Sequence, residues 1–114
     1  TALGFLCLAL LPLGLAQSII LMAVIGAFGM TYGVLMAHGR SFLPDSLLGR
    51  GITLLNILFI GGAGLLQPLS GALMTRMKDM PPADAYATLH LIFVGFLITG
   101  LAIYLFARDN PPKR

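Results

Sequence analysis

The side chains that could do chemistry inside this chain's apolar runs are amides, hydroxyls and an imidazole. The four acids, Asp45, Asp79, Asp84 and Asp109, lie between or after those runs, glutamate is absent, and Lys and Arg are confined to the same connecting segments. Asn56 and Gln67 stand in the middle of a long uncharged run. Amides so placed must find hydrogen-bond partners. Neighbouring helices supply them at about 0.6 kcal/mol each, seldom above 2; the sharper alternative is a water-filled path holding a solute. Thr31 and Tyr32 pose the same two alternatives, so Thr31, Tyr32, Asn56 and Gln67 form the candidate substrate-cavity set. His90, near the start of the last apolar run, is either a proton relay or an interfacial histidine with a local hydrogen bond. His38, two residues before Arg40, reads as interfacial.

Other chemistries find no support. No His/Cys cluster suits a metal, no HExxH is present, and no Ser, His and Asp fall on plausible triad geometry. Gly61-Gly62-Ala63-Gly64 does not fit G-x-G-x-x-G and sits within an uncharged run rather than after a strand. No catalytic residue, metal or cofactor is assigned, and an enzyme is not expected. The lone Cys7 cannot form an internal disulfide and reads as a small apolar residue.

Composition explains where these residues must sit. The chain has 114 residues, 58% hydrophobic and 10% charged, where soluble domains carry about 25% charged residues. The expected fold is all-α: a polytopic transmembrane helical bundle of three full spans plus one truncated span, in contact with the lipid bilayer. The net charge of +3 marks topology rather than nucleic-acid binding, because the basic residues lie only between and after the apolar runs. The chain opens at Thr1 with neither Met nor a basic segment before its apolar run, unlike a signal peptide, and reads as a piece of something longer.

Four spans are expected, at about 1–16, 18–39, 51–77 and 85–107. The first is short, about 24 Å as a helix, and Pro12, Gly14 and Gln17-Ser18 separate it from the second. The second carries Gly26, Gly29, Gly33 and Ala37 at i, i+3, i+7 and i+11, a small-residue face for close helix contact. The third has no ionisable residue from Ile52 to Thr75. These residues would reach about 36 Å, enough for a hydrocarbon core of roughly 30 Å. On it Asn56, Ala63, Gln67 and Ser70 share one face, and Gly61, Gly64, Pro68 and Gly71 a second about 100° away. The fourth, with Phe93, Phe96, Tyr104 and Phe106, reads as more lipid-facing. In the 40–50 loop, Pro44 and Asp45 suit a turn or helix start, Ser46 suits a cap, and Gly49 and Gly51 flank Arg50. Asp84 is expected as the N-cap of the last helix, with Ala85 as its first residue.

Arg40, Arg50, Arg108, Lys113 and Arg114 lie on one side of these spans, and Arg76 and Lys78 on the other. The bias places the 40–50 loop and the C-terminus in the cytoplasm.

The run AHGRSFLPDSLLGRG, then TLLNILFIGGAGLLQPLSGAL, then a short loop and a last span with a basic tail, resembles the C-terminal end of a major facilitator superfamily transporter. The resemblance covers essentially the whole chain and is strongest from Tyr32 to Leu73. It implies helices nine, truncated, to twelve of a bacterial inner-membrane protein whose two halves rock about a central site to move a small solute. It further implies that the remaining transporter helices are partners, that Thr31 and Tyr32 lie near the cavity, and that Asn56 and Gln67 face inward. Substrate and coupling ion stay open.

Two rivals are weighed. A complete small four-helix multidrug exporter would need a membrane glutamate in its first helix, and this chain has none. A non-transporting membrane subunit or assembly protein that binds partner helices through its glycine faces stays open.

Overall fold

The computed structural model describes Thr1–Ala107. Arg108–Arg114, the expected cytoplasmic tail, lies outside the described residues. The protein is all-α, with no strand among the described residues. The elements are α1 (Ala2–Leu10), α2 (Leu15–Phe28), α3 (Tyr32–Ser41), a 3-10 turn (Asp45–Leu47), α4 (Leu48–Arg76) and α5 (Pro82–Leu105).

Local chemistry sets each boundary. Leu11 is extended, at φ −99° and ψ 140°, as the residue before a proline prefers. Leu13 N–H then bonds the Leu11 carbonyl at 2.8 Å, a three-residue turn centred on Pro12. The break therefore falls at Leu11–Gly14, at the expected Pro12 and Gly14, and does not extend to Gln17-Ser18. Gln17 is instead in the first turn of α2, where its Oε1 accepts from Gly14 N–H at 2.9 Å. This satisfies one donor that the helix start leaves open.

The expected second span is interrupted. Helix α2 ends at Phe28, with Gly29 as C-cap, and α3 starts at Tyr32. Gly26, Gly29 and Gly33 therefore do not share one unbroken helix face. Each costs roughly 1 kcal/mol of helix propensity relative to Ala, and together they weaken the helix where it breaks.

Helix α4 starts at Leu48, so Arg50 lies inside it rather than before it. Pro68 lacks the N–H that would bond the Gly64 carbonyl, and the proline ring crowds that same carbonyl. At α5, Pro81 is the N-cap and Pro82 the first helical residue, which displaces Asp84 from the expected cap into the first turn. Proline suits that position because its missing N–H would be unpaired there anyway. Ser46 likewise does not cap: it lies inside the 3-10 turn, which starts from an extended Pro44 and whose Leu47 N–H bonds the Pro44 carbonyl at 2.9 Å.

The chain divides into two compact units. The first comprises Thr1–Met30 and Ser70–Ala107. Here Phe5 of α1 meets α5 through Phe93 and His90, at ring-centroid distances of 5.5 and 5.7 Å. Gly4 lies so close to α2 that a Cβ there would stand 2.6 Å from Ile25 Cγ1. Ile25, Met77, Ala85 and Val94 are its buried apolar residues. The second unit comprises Thr31–Leu69. Its close approaches flank the loop: a Cβ on Gly39 would stand 2.8 Å from Leu55 Cδ1, and Gly51 is pressed by Leu43.

Most apolar side chains point outward, Leu15, Ile60 and Ile103 among them. Three helical stretches, Leu15–Ser41, Asp45–Arg76 and Pro82–Leu105, are long and apolar enough to cross a membrane. Within the most apolar part of each, 6%, 0% and 6% of residues are buried. Exposed apolar surface on this scale needs a nonpolar surrounding or partners, which makes this the architecture of a multi-pass membrane protein.

Candidate functional site

The side chains available for binding are those the helices do not already satisfy. Four threonine hydroxyls are used locally: Thr53, Thr75, Thr88 and Thr99 donate to the carbonyls of Gly49, Gly71, Asp84 and Gly95 at 2.8–2.9 Å. Such bonds to the preceding turn are how a hydroxyl is tolerated at membrane depth.

The second unit holds the polar cluster. Thr31 is the N-cap of α3 and makes no capping bond through its side chain. The first backbone bonds of α3 run from Val34 and Leu35 N–H back to the Thr31 carbonyl, each at 3.1 Å. Tyr32, first residue of that helix, reaches across to α4. Its hydroxyl donates to Asn56 Oδ1, and its ring meets Phe59 edge-on, with centroids 4.6 Å apart at 61°. Asn56 and Phe59 are three residues apart, so they project from the same side of α4. Tyr32 and Phe59 remain 38% and 48% exposed as residues, so the cluster can be reached from outside the chain. Among the described residues, the two amide N–H donors of Asn56 meet no acceptor.

The structure thus brings Tyr32 and Asn56 together. Thr31 adjoins them in sequence without joining the bond. Gln67 is exposed on the Asn56 face, about 16 Å further along the helix, and makes no hydrogen bond among the described residues. Phe59 was not singled out in the sequence, although an aromatic three residues after a membrane asparagine is a usable signal. Gly26, Gly33, Gly61, Gly64 and Gly71 face open space, with nothing within 4 Å of an added Cβ. A Cβ on Gly29 would stand 3.1 Å from the carbonyl oxygen of Ile25 in its own helix end.

His90 belongs to the first unit, packed between Phe5 and Tyr86, with ring centroids 5.7 and 6.4 Å away. Its Nδ1 is sealed without a hydrogen-bond partner among the described residues, so the local bond expected of it is not made there. Tyr86 and Tyr104 stand eighteen residues apart on α5. That is about 27 Å along the helix, close to the thickness of a hydrocarbon core. Tyrosines at both ends fit the aromatic belts of a membrane span, and His90 lies one turn inside the first of them.

Comparison with known proteins returned no matching family model, no matching curated protein and no matching solved structure.

Proposed function

We propose that this chain is the C-terminal part of a secondary active transporter of the major facilitator type, forming one wall of a cavity through which a small solute passes by alternating access. The observation that carries the reading is the half-exposed Tyr32–Asn56–Phe59 cluster on helices whose remaining surface is apolar and open. A polar group retained at membrane depth and accessible from outside its own chain is the ordinary mark of a solute path. Interrupted spans such as α2–α3 are also a recurrent feature of transporters, where non-helical backbone lines a cavity. On this reading the remaining transporter helices cover the open faces, the protein resides in the bacterial cytoplasmic membrane, and the 40–50 loop and C-terminus face the cytoplasm.

The native reading frame upstream of Thr1 tests the proposal. About eight further apolar spans are expected, completing two six-helix halves. A start codon directly before Thr1 would overturn it. That outcome would favour the second reading, a non-transporting subunit whose glycines grip partner helices, which the open space around Gly61, Gly64 and Gly71 supports.

A further inference from the structure

We propose that Asn56, bonded to Tyr32 and on the same side of α4 as Phe59, binds a carbonyl or carboxylate oxygen carried on an aromatic or flat apolar body. The inference rests on the transporter reading for its place on a solute path and adds the class of solute.

The argument begins with the hydrogen bonds left over. Tyr32 spends its single proton on Asn56 Oδ1, so the phenol has no proton left to donate. Asn56 retains both amide N–H groups, and no acceptor among the described residues takes them. The protons offered outward therefore seek an acceptor. In a nonpolar surrounding an unpaired donor is costly, so an oxygen that fills it gains more than it would in water.

The surrounding charges favour the same partner. Within Thr31–Leu69 the ionisable side chains besides Tyr32 itself are His38, Arg40, Asp45 and Arg50, two permanent cations and a histidine against one carboxylate. Arg50 lies about 9 Å before Asn56 along α4. No carboxylate stands on α3 or α4 to neutralise an ammonium ion. The two half-exposed rings provide the apolar contact, and ring-on-ring packing contributes beyond the area it covers. The aromatic faces could also attract a cation; the free N–H groups and the neighbouring basic residues oppose it.

The test uses the full-length polypeptide that carries these residues, purified in detergent, with radiolabelled benzoate and benzamide as probes and benzylammonium as competitor. Benzoate and benzamide should bind saturably and displace one another, while benzylammonium displaces neither. Asn56→Leu should weaken both aryl probes roughly tenfold, the size of one lost hydrogen bond. Asn56→Asp, nearly the same shape, should reverse the preference, losing benzoate and gaining benzylammonium. A structural role for Asn56 would not produce that reversal. Absence of saturable binding, benzylammonium binding as tight as benzoate in the unaltered protein, or unchanged aryl binding by monodisperse Asn56→Leu protein would each overturn the inference. Transport is scored separately: Asn56-dependent binding without uptake into proteoliposomes would uphold the oxygen site while removing the transporter reading.

Discussion

The hydroxyl of Tyr32 donates to the side-chain carbonyl of Asn56, twenty-four positions further along the chain. One residue opens α3 and the other lies two turns into α4, so the bond closes over the whole 40–50 connection. With the Tyr32–Phe59 ring contact and the approach of Leu55 to Gly39, it is one of the side-chain contacts that link α3 to α4.

A double-mutant cycle on Tyr32→Phe and Asn56→Leu measures that bond. Hydrogen bonds between membrane helices average about 0.6 kcal/mol and reach about 1.7, so the coupling energy should fall in that range. Unfolding in mixed micelles with increasing SDS reads it out. Each single variant should still insert at normal yield, because the rings of Tyr32 and Phe59 keep their contact. Zero coupling would mean that the two side chains do not meet in the membrane.

The glycines divide into two groups that should respond differently. Gly39 and Gly51 meet side chains of their own unit, Leu55 and Leu43. Alanine at Gly39 should cost little, since only the far end of Leu55 must move aside, whereas alanine at Gly51 should cost more, since both methyls and the branch carbon of Leu43 lie within 3.0 Å of the added Cβ. Gly64 and Gly71 meet nothing within 4 Å, so leucine there should leave the contacts of this chain intact. If other helices of a larger protein press on that face, Gly64→Leu and Gly71→Leu should lower the membrane yield of the full-length polypeptide several-fold, as expected for overpacking by roughly 1–3 kcal/mol. Normal yield from both, measured by fluorescence-detected gel filtration, would show that lipid covers the face.

Much of this architecture is legible in the residues. The uncharged run from Ile52 to Thr75 fixes α4 as a span, and Tyr32 and Asn56 stand out because polar groups are rare in such surroundings. The break after Phe28 is harder to read. Gly26, Gly29 and Gly33 fit a packing stripe on a continuous helix equally well, and the same glycines that permit close packing also lower the cost of interrupting the helix. The pairing of Tyr32 with Asn56 is not a local property: spacing along α4 aligns Asn56 with Gln67, but only the fold of the 40–50 connection decides which amide the tyrosine reaches. Asp84 illustrates a different miss. Its capping preference was plain, yet Pro82 occupies the first helical position, where its fixed backbone angle outranks a side-chain cap.

Phe5 is the main aromatic link between α1 and α5, lying 5.5 Å from Phe93 and 5.7 Å from His90. Phe5→Leu keeps the apolar bulk and removes the ring pairing. It should destabilise the first unit by about 0.5–1.5 kcal/mol. Phe106→Leu, at a residue exposed beyond the end of α5, should be neutral in the same SDS titration. Equal effects of the two substitutions would remove Phe5 as the link.

Topology can be read with single thiols in a Cys7→Ala background, since Cys7 is the chain's one cysteine. Ser46 lies in the 3-10 turn before α4, and Ala83 lies in the first turn of α5; a single crossing by α4 puts them on opposite sides of the bilayer. The basic residues expected on the Ser46 side, Arg40, Arg50, Arg108, Lys113 and Arg114, outnumber Arg76 and Lys78 on the other, which predicts the orientation of that crossing. In intact cells a membrane-impermeant maleimide should therefore label Ala83→Cys within minutes and leave Ser46→Cys unmodified until the membrane is opened. The reverse pattern would invert the orientation while keeping α4 as a span. Labelling of both sites in sealed cells would mean that α4 does not cross, and would leave the exposed apolar surface of that helix to be covered by protein rather than lipid.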